Sequence, residues 1–365
     1  MKKLLITLLK IVCSLAILGW LVYKALKFHD EQGRNVFVLL AQQVQHWDGK
    51  EWGLFAAALT AAVLVSTVAI MLTLIRWCYL VRALGIELPM RDALRIGLWG
   101  FLVNLAPMGI VGGDLLKAYM LAHEYPGYRA KSLASVVMDR IIGLYILFVV
   151  GSVGILVTGF YGQVQVAAIH LVCIAVLAVT GVGAVAIPIL FLPGVVDGRW
   201  IEVFTRIPRV GHLIHSLVDA MRSYRHSPGT LLASCLMTVG VHGLLTVSVF
   251  LVALGLFEQH ISLAKHFVIY PVSGVASTIP LPAGPFEAVL ESMYKNTHAS
   301  EGLTMPDGQG LIVALLYRLI TVLQAAVAFG YCMRSRKEVA EVFREVEEDK
   351  PSGEEEALAA RSAAS

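Results

Sequence analysis

The sequence predicts an all-α polytopic membrane protein, with about six transmembrane helices and two oppositely oriented re-entrant hairpins in an inverted repeat. Three observations carry that expectation. Of 365 residues, 57% are apolar and only 15% charged, against about 25% charged in a soluble domain. Apolar runs long enough for the ~30 Å hydrocarbon core recur from end to end. Two further apolar stretches are broken near their middles by proline and glycine, which end a helix. A soluble globular fold is excluded, and a net charge of +3 is too small to point to nucleic acid.

The first run, 4–26, follows Met1-Lys2-Lys3 and imitates a signal peptide, yet it continues past the weak small-x-small site at Ser14 to Ala16. It is read as an uncleaved span. Segment 35–47 places Val36, Leu39, Leu40, Val44 and Trp47 at helical spacing and is an interfacial candidate on the outer side. A span at 53–80 precedes the first broken stretch, 92–122, interrupted at Asn104-Leu105-Ala106-Pro107-Met108-Gly109. Spans follow at 132–158 and 166–192. Segment 199–226 repeats apolar residues at helical spacing from Ile207 to Met221, with Arg209, Arg222 and Arg225 elsewhere on its surface. That is a basic helix on the cytoplasmic leaflet, or a connector lying on the membrane. Span 229–254 leads to the second broken stretch, 263–294, interrupted at Pro280-Leu281-Pro282-Ala283-Gly284-Pro285, and 308–333 is the last span. Residues 1–335 form the membrane domain, and 336–365 a charged, largely disordered cytoplasmic tail. Cys13, Cys78, Cys173, Cys235 and Cys332 lie in or at the ends of apolar runs without paired spacing, so neither a disulfide framework nor a zinc site is expected.

Loop charge sets the orientation. Lys2, Lys3, Arg82, Arg91, Arg129, Lys131, the arginines between 199 and 225, and Arg334, Arg336 and Lys337 fall on one side if both broken stretches return to the side they entered. Both termini are then cytoplasmic. The same topology exposes a duplication, repeat one at 53–158 and repeat two at 229–333, each with a span, a hairpin and a span. Each copy places an acid just after its break, Asp114 or Glu287, and an arginine inside the next span, Arg140 or Arg318. Inverted repeats with discontinuous helices are how many transporters build a midplane site.

Ionisable residues inside spans are the sharpest chemical signal, since each costs about 2.5–3.5 kcal/mol at the bilayer centre. Arg318 lies roughly 15 Å into its span and Arg140 roughly 12 Å from the cytoplasmic end, too deep for easy snorkelling. Two readings stand. Asp114, Asp139 or Glu287 could hold these arginines in permanent ion pairs, or their guanidinium groups could bind an anionic group, with a phosphate the first candidate. Gly112 and Gly113 are expected to leave amides open at a half-helix N-terminus, where Asp114 caps or an anion binds. Glu287 and Glu291, four apart, share a helix face and suit proton coupling if buried, or plain solvation if not. His170 and His242 read as packing residues. There is no catalytic motif and no extramembrane stretch long enough for a catalytic domain, so neither an enzyme nor a cofactor is expected.

Asn104-x2-Pro107-x4-Gly112-Gly113-Asp114-x2-Lys117, then Asp139-Arg140-x2-Gly143, then Pro280-x-Pro282-Ala283-Gly284-x2-Glu287 and the late Arg318 together resemble the flippase-like superfamily. That superfamily includes the transmembrane region of lysylphosphatidylglycerol synthetase, the multiple peptide resistance factor. The resemblance runs from about residue 4 to 335. It implies Asp114, Lys117, Arg140, Glu287 and Arg318 as substrate-binding candidates, with Pro107, Gly112, Gly113, Pro280, Pro282 and Gly284 shaping the hairpins. Lys117 departs from an expected arginine, and Ala-Gly-Pro-Phe from a longer, glycine-rich loop.

The resemblance implies a lipid translocase that moves an anionic phospholipid, an aminoacyl-phospholipid or a polyprenyl-phosphate-linked lipid between leaflets. Its setting would be a bacterial inner membrane, its partners the lipid substrate and the bilayer, with a homo-oligomer left open. The soluble aminoacyl-transferase domain of some members has no counterpart here, so lysyl transfer is not carried over. The alternatives are a secondary transporter of a small soluble anion, a polyprenyl-dependent glycosyltransferase, which would need a larger acidic outer loop, and an assembly factor without transport.

Overall fold

The computed structural model describes residues 35–105, 109–163, 166–190, 221–279, 281, 283–297 and 308–333, with isolated positions at 19, 20, 22, 23, 26 and 218. Almost all of the expected first span, most of the basic segment 199–226 and the tail from 334 fall outside these residues, as do Pro107, Pro280 and Pro282. The described chain is helical and contains no strand.

Five of the described helices are long and apolar enough to cross a membrane. They are α2 (Gly49–Ala83), α5 (Arg129–Thr158), α7 (Ala167–Leu190), α8 (Pro228–Leu256) and α11 (Gln309–Cys332), in chain order with the shorter helices named below. They match the spans read from the sequence after the first. Segment 35–47, expected on the outer side, holds helix α1 (Val36–Gln45), whose N-cap Asn35 accepts from the Val38 amide at 3.0 Å. A short α6 (Phe160–Gln163) follows α5, which ends on Gly159 at φ +60°.

Helix α2 is started by Asp48, whose carboxylate accepts from the amides of Lys50 and Glu51, while Glu51 reaches back to the Asp48 amide. Those backbone donors hold the exposed Asp48 carboxyl below its ordinary range.

The two broken stretches become pairs of short helices. The first is α3 (Met90–Leu105) and α4 (Gly109–Glu124), 16 residues each. The second is α9 (Leu263–Ala276) and α10 (Pro285–Lys295), of 14 and 11 residues. At 1.5 Å per residue they are about 24, 24, 21 and 16 Å long, each short of a ~30 Å hydrocarbon core. The members of each pair pack on one another.

The packing has a regular scheme. Helices α2 and α8 form the most extensive contact of the bundle. Helix α3 leans on α11, and α9 leans on α5, so each leading short helix packs on the closing span of the other half. Helices α4 and α10 each pack on the span that follows them, α5 and α11. Exchanging one half for the other reproduces these pairings. Helix α7 docks chiefly on α5 and is otherwise open.

Small and hydroxylated residues make the close contacts, as in lipid, where apolar surface alone does not drive helices together. Ser248 donates to the Ala62 carbonyl at 3.0 Å, and Gln324 donates to Ser66 Oγ and Thr67 Oγ1 at 2.7 and 2.9 Å. A Cβ on Gly154 would lie 2.6 Å from the Phe267 carbonyl oxygen, so only glycine lets α5 meet α9 there.

Candidate functional site

The two acids that follow the breaks each find the arginine of the next span. Asp114 lies in the second turn of α4 and takes two bonds from Arg140 of α5, from Nε to Oδ2 and from Nη2 to Oδ1 at 2.8 Å. Glu287 lies in the first turn of α10, and its Oε1 meets Arg318 of α11 at 2.8 Å from Nε and 2.7 Å from Nη2. Asp114–Arg140 and Glu287–Arg318 are thus the same pairing made once in each half.

Exposure separates the partners. The Asp114 and Glu287 side chains are 14% and 0% exposed, whereas Arg140 and Arg318 are 46% and 34% exposed. Each arginine spends Nε–H and one Nη2–H on its acid. About three of the five guanidinium N–H groups then remain unspent toward described residues.

A third pair, unforeseen in the sequence, shows the contrasting case. Asp139, expected as a partner for Arg140 or Arg318, belongs to Arg76 of α2. Arg76 Nε donates to Asp139 Oδ1 at 2.9 Å, Nη1 to Thr238 Oγ1 of α8 at 2.7 Å, and Nη2 to the Asp139 carbonyl at 3.3 Å. Every nitrogen is engaged, and the pair is 5% and 7% exposed. It ties α2, α5 and α8 into one core. Arg76 could have been found as a charge within an apolar run, but four residues from the end of span 53–80 it passes for a snorkelling flank. Thr238 carries no such signal.

Lys117, one turn after Asp114, is buried at 5% exposure. Its Nζ sits over the Trp77 ring, 5.4 Å from the centroid, and donates no hydrogen bond to a described residue. Asp114 and Asp139 are its acidic neighbours. In the second half the matching place, three residues after Glu287, is the buried Leu290.

The break residues differ in part from expectation. Helix α4 begins at Gly109, so Gly112 and Gly113 lie within it and do not present a free N-terminus. Asp114 is accordingly no cap. The Gly113 amide donates to Asn104 Oδ1 at 3.1 Å, and a Cβ there would collide with the Gly100 carbonyl and the Asn104 side chain. Gly113 therefore permits the α3–α4 crossing, and Asn104 latches it. Gly284 adopts φ +111° and starts α10 together with Pro285, its amide donating to Glu287 Oε2 at 2.7 Å. Glu291 does not join Glu287; its carboxylate accepts from the amides of Gly308 and Leu311, at 2.6 and 2.8 Å, at the start of α11. His170 stacks on Tyr161 at 4.6 Å, and His242 meets the Gly143 carbonyl through Nε2 at 2.9 Å.

The stretch of chain that forms this bundle, its two pairs of short helices and the acid–arginine pairs also matches a known family. The model of the lysylphosphatidylglycerol synthase TM region matches residues 7–328. The chain belongs to this family. As a lysylphosphatidylglycerol synthase TM region, with five apolar helices long enough to cross a bilayer, it is an integral membrane protein of the lipid-related flippase or synthase kind. The family match takes in both halves, the three acid–arginine pairs whose arginines lie in the spanning helices, and Lys117. No curated protein matches the chain.

Proposed function

We propose that this chain moves an anionic lipid between leaflets, with Arg140 and Arg318 receiving the headgroup while the hydrocarbon chains stay in the bilayer. The observation that carries this reading is the unequal state of the three paired arginines of the spanning helices. Arg76 is spent on every nitrogen and closed to solvent. Arg140 and Arg318 are held from one side only and keep donors facing open space. A guanidinium held this way is oriented for bidentate recognition of a phosphate. Lys117 adds a buried cation near Arg140. The pairing scheme that recurs between the halves supports an inverted repeat whose short helices return to the face they entered, with both termini cytoplasmic and the two halves alternating in access. A bacterial inner membrane is the setting that fits a lipid of this class.

A second reading, a purely structural role for both pairs, is favoured by the ion pairs themselves. The lipids retained by gently purified protein, compared by mass spectrometry with the bulk membrane, separate the two. The expected result is selective retention of one anionic or polyprenyl lipid, lost in folded Arg140→Ala and Arg318→Ala variants. Retention that matches the bulk membrane in all three proteins would move the assignment to a soluble-anion transporter or to an assembly role.

A further inference from the structure

The two site acids are not equally able to lose their arginine. Asp114 is 14% exposed, and Lys117 lies near enough to act on its charge. Glu287 is fully enclosed. Among the described residues its Oε1 has only Arg318, and its Oε2 only the Gly284 amide. Arg318 is one-third open and can turn outward, whereas Glu287, fixed in the first turn of α10 behind Pro285, cannot follow. Helices α9 and α11 pack on α10 and bring the other titratable groups. From α11 come Arg318 and Tyr317, and from α9 come His266 and Tyr270, whose ring meets that of Tyr317 edge-on at 6.4 Å. His266 is occupied by the Ser262 carbonyl and the Tyr294 hydroxyl, at 2.9 and 2.7 Å. On α10 itself, Glu291 is held by two amides at the start of α11, and Tyr294 by His266. None of these supplies a second cation to Glu287.

Resting on the lipid-translocase reading, we propose that Glu287 takes up one proton whenever Arg318 leaves it for the substrate's anionic group, so that the anion and a proton load together. A buried carboxylate stripped of its only cation is costly and neutralises instead. The Gly284 amide keeps Oε2 as an acceptor, so the proton goes to Oε1, the oxygen that Arg318 vacates. The exchange balances: an arginine–carboxylate pair, a phosphodiester monoanion and a proton become an arginine–phosphodiester pair and a carboxylic acid. The net charge at the site does not change on loading. A pH difference across the membrane would therefore act on this step, and the membrane potential would not.

Proton counting tests this directly. Purified wild-type protein in weakly buffered micelles containing a pH indicator is titrated with dioctanoyl-phosphatidylglycerol, whose phosphodiester stays ionised throughout. The expected result is about one proton taken up per lipid bound, with affinity falling about tenfold per pH unit on the alkaline side. Glu287→Gln should bind without uptake and without that slope, while His266→Gln should retain both. Lipid binding without proton uptake in the wild type overturns the coupling and leaves the lipid reading standing. Uptake that persists in Glu287→Gln, or is lost in His266→Gln, assigns the proton elsewhere and also overturns it. No binding of dioctanoyl-phosphatidylglycerol removes phosphatidylglycerol as the substrate and overturns the coupling with it. Should Glu287→Gln fail to fold, the wild-type count alone decides.

Discussion

The pairs Asp114–Arg140 and Glu287–Arg318 occupy matching places in the two halves, yet their surroundings make them different devices. In the first, both partners are at least partly open, the acid sits in the second turn of its helix, and a buried lysine lies nearby. In the second, the acid is enclosed and doubles as the clasp on the Gly284 amide at the start of α10, and the lysine's place is taken by Leu290. One half thus carries a surplus cation and the other a locked acid. An anionic headgroup would find more positive charge in the first half and a proton-accepting partner in the second.

Removing each acid in turn gives the largest effects and grades the environments. Asp139→Ala strands Arg76 in the core and should cost about 3–5 kcal/mol. Glu287→Ala leaves the Gly284 amide unsatisfied but an arginine that can reach open space, for about 1–3 kcal/mol. Asp114→Ala frees a half-exposed arginine and should stay within about 1 kcal/mol. Thermal unfolding in one detergent checks the order. Equal losses at Asp114 and Glu287 would erase the distinction between the halves.

A smaller effect on stability, of opposite sign, is expected at Lys117. Lys117→Met removes a buried cation that donates no hydrogen bond to a described residue and keeps the side chain's bulk, so unfolding temperature should hold or rise while lipid movement in vesicles falls. A clear loss of stability would make the lysine part of the scaffold.

Much of this was legible in the chain before its fold. Asp114, Arg140, Glu287 and Arg318 stand out because a charge in an apolar run needs a partner, and the spans after the first announce themselves by length and composition. Pairing was less legible. Asp139 and Arg140 are adjacent and so point to different sides of a helix, but only the packing of α2 against α5 and α8 shows that Arg76 claims the first and leaves the second open. Asn104 read as part of a break, and its hydrogen bond to Gly113 depends on the crossing of α3 and α4. Glu291 looked like a partner for Glu287 by spacing, yet the turn at Gly308 brings the start of α11 to it.

The central claim, that the open arginines bind substrate and are not structural locks, is tested most directly by swapping one pair. Asp114→Arg combined with Arg140→Asp rebuilds the ion pair with its charges exchanged across α4 and α5. The account predicts that folded yield returns to near the wild-type level while movement of a headgroup-labelled anionic lipid in vesicles stays lost, because the guanidinium no longer projects from α5. Recovery of lipid movement together with folding would contradict it and make the Asp114–Arg140 pair a structural lock.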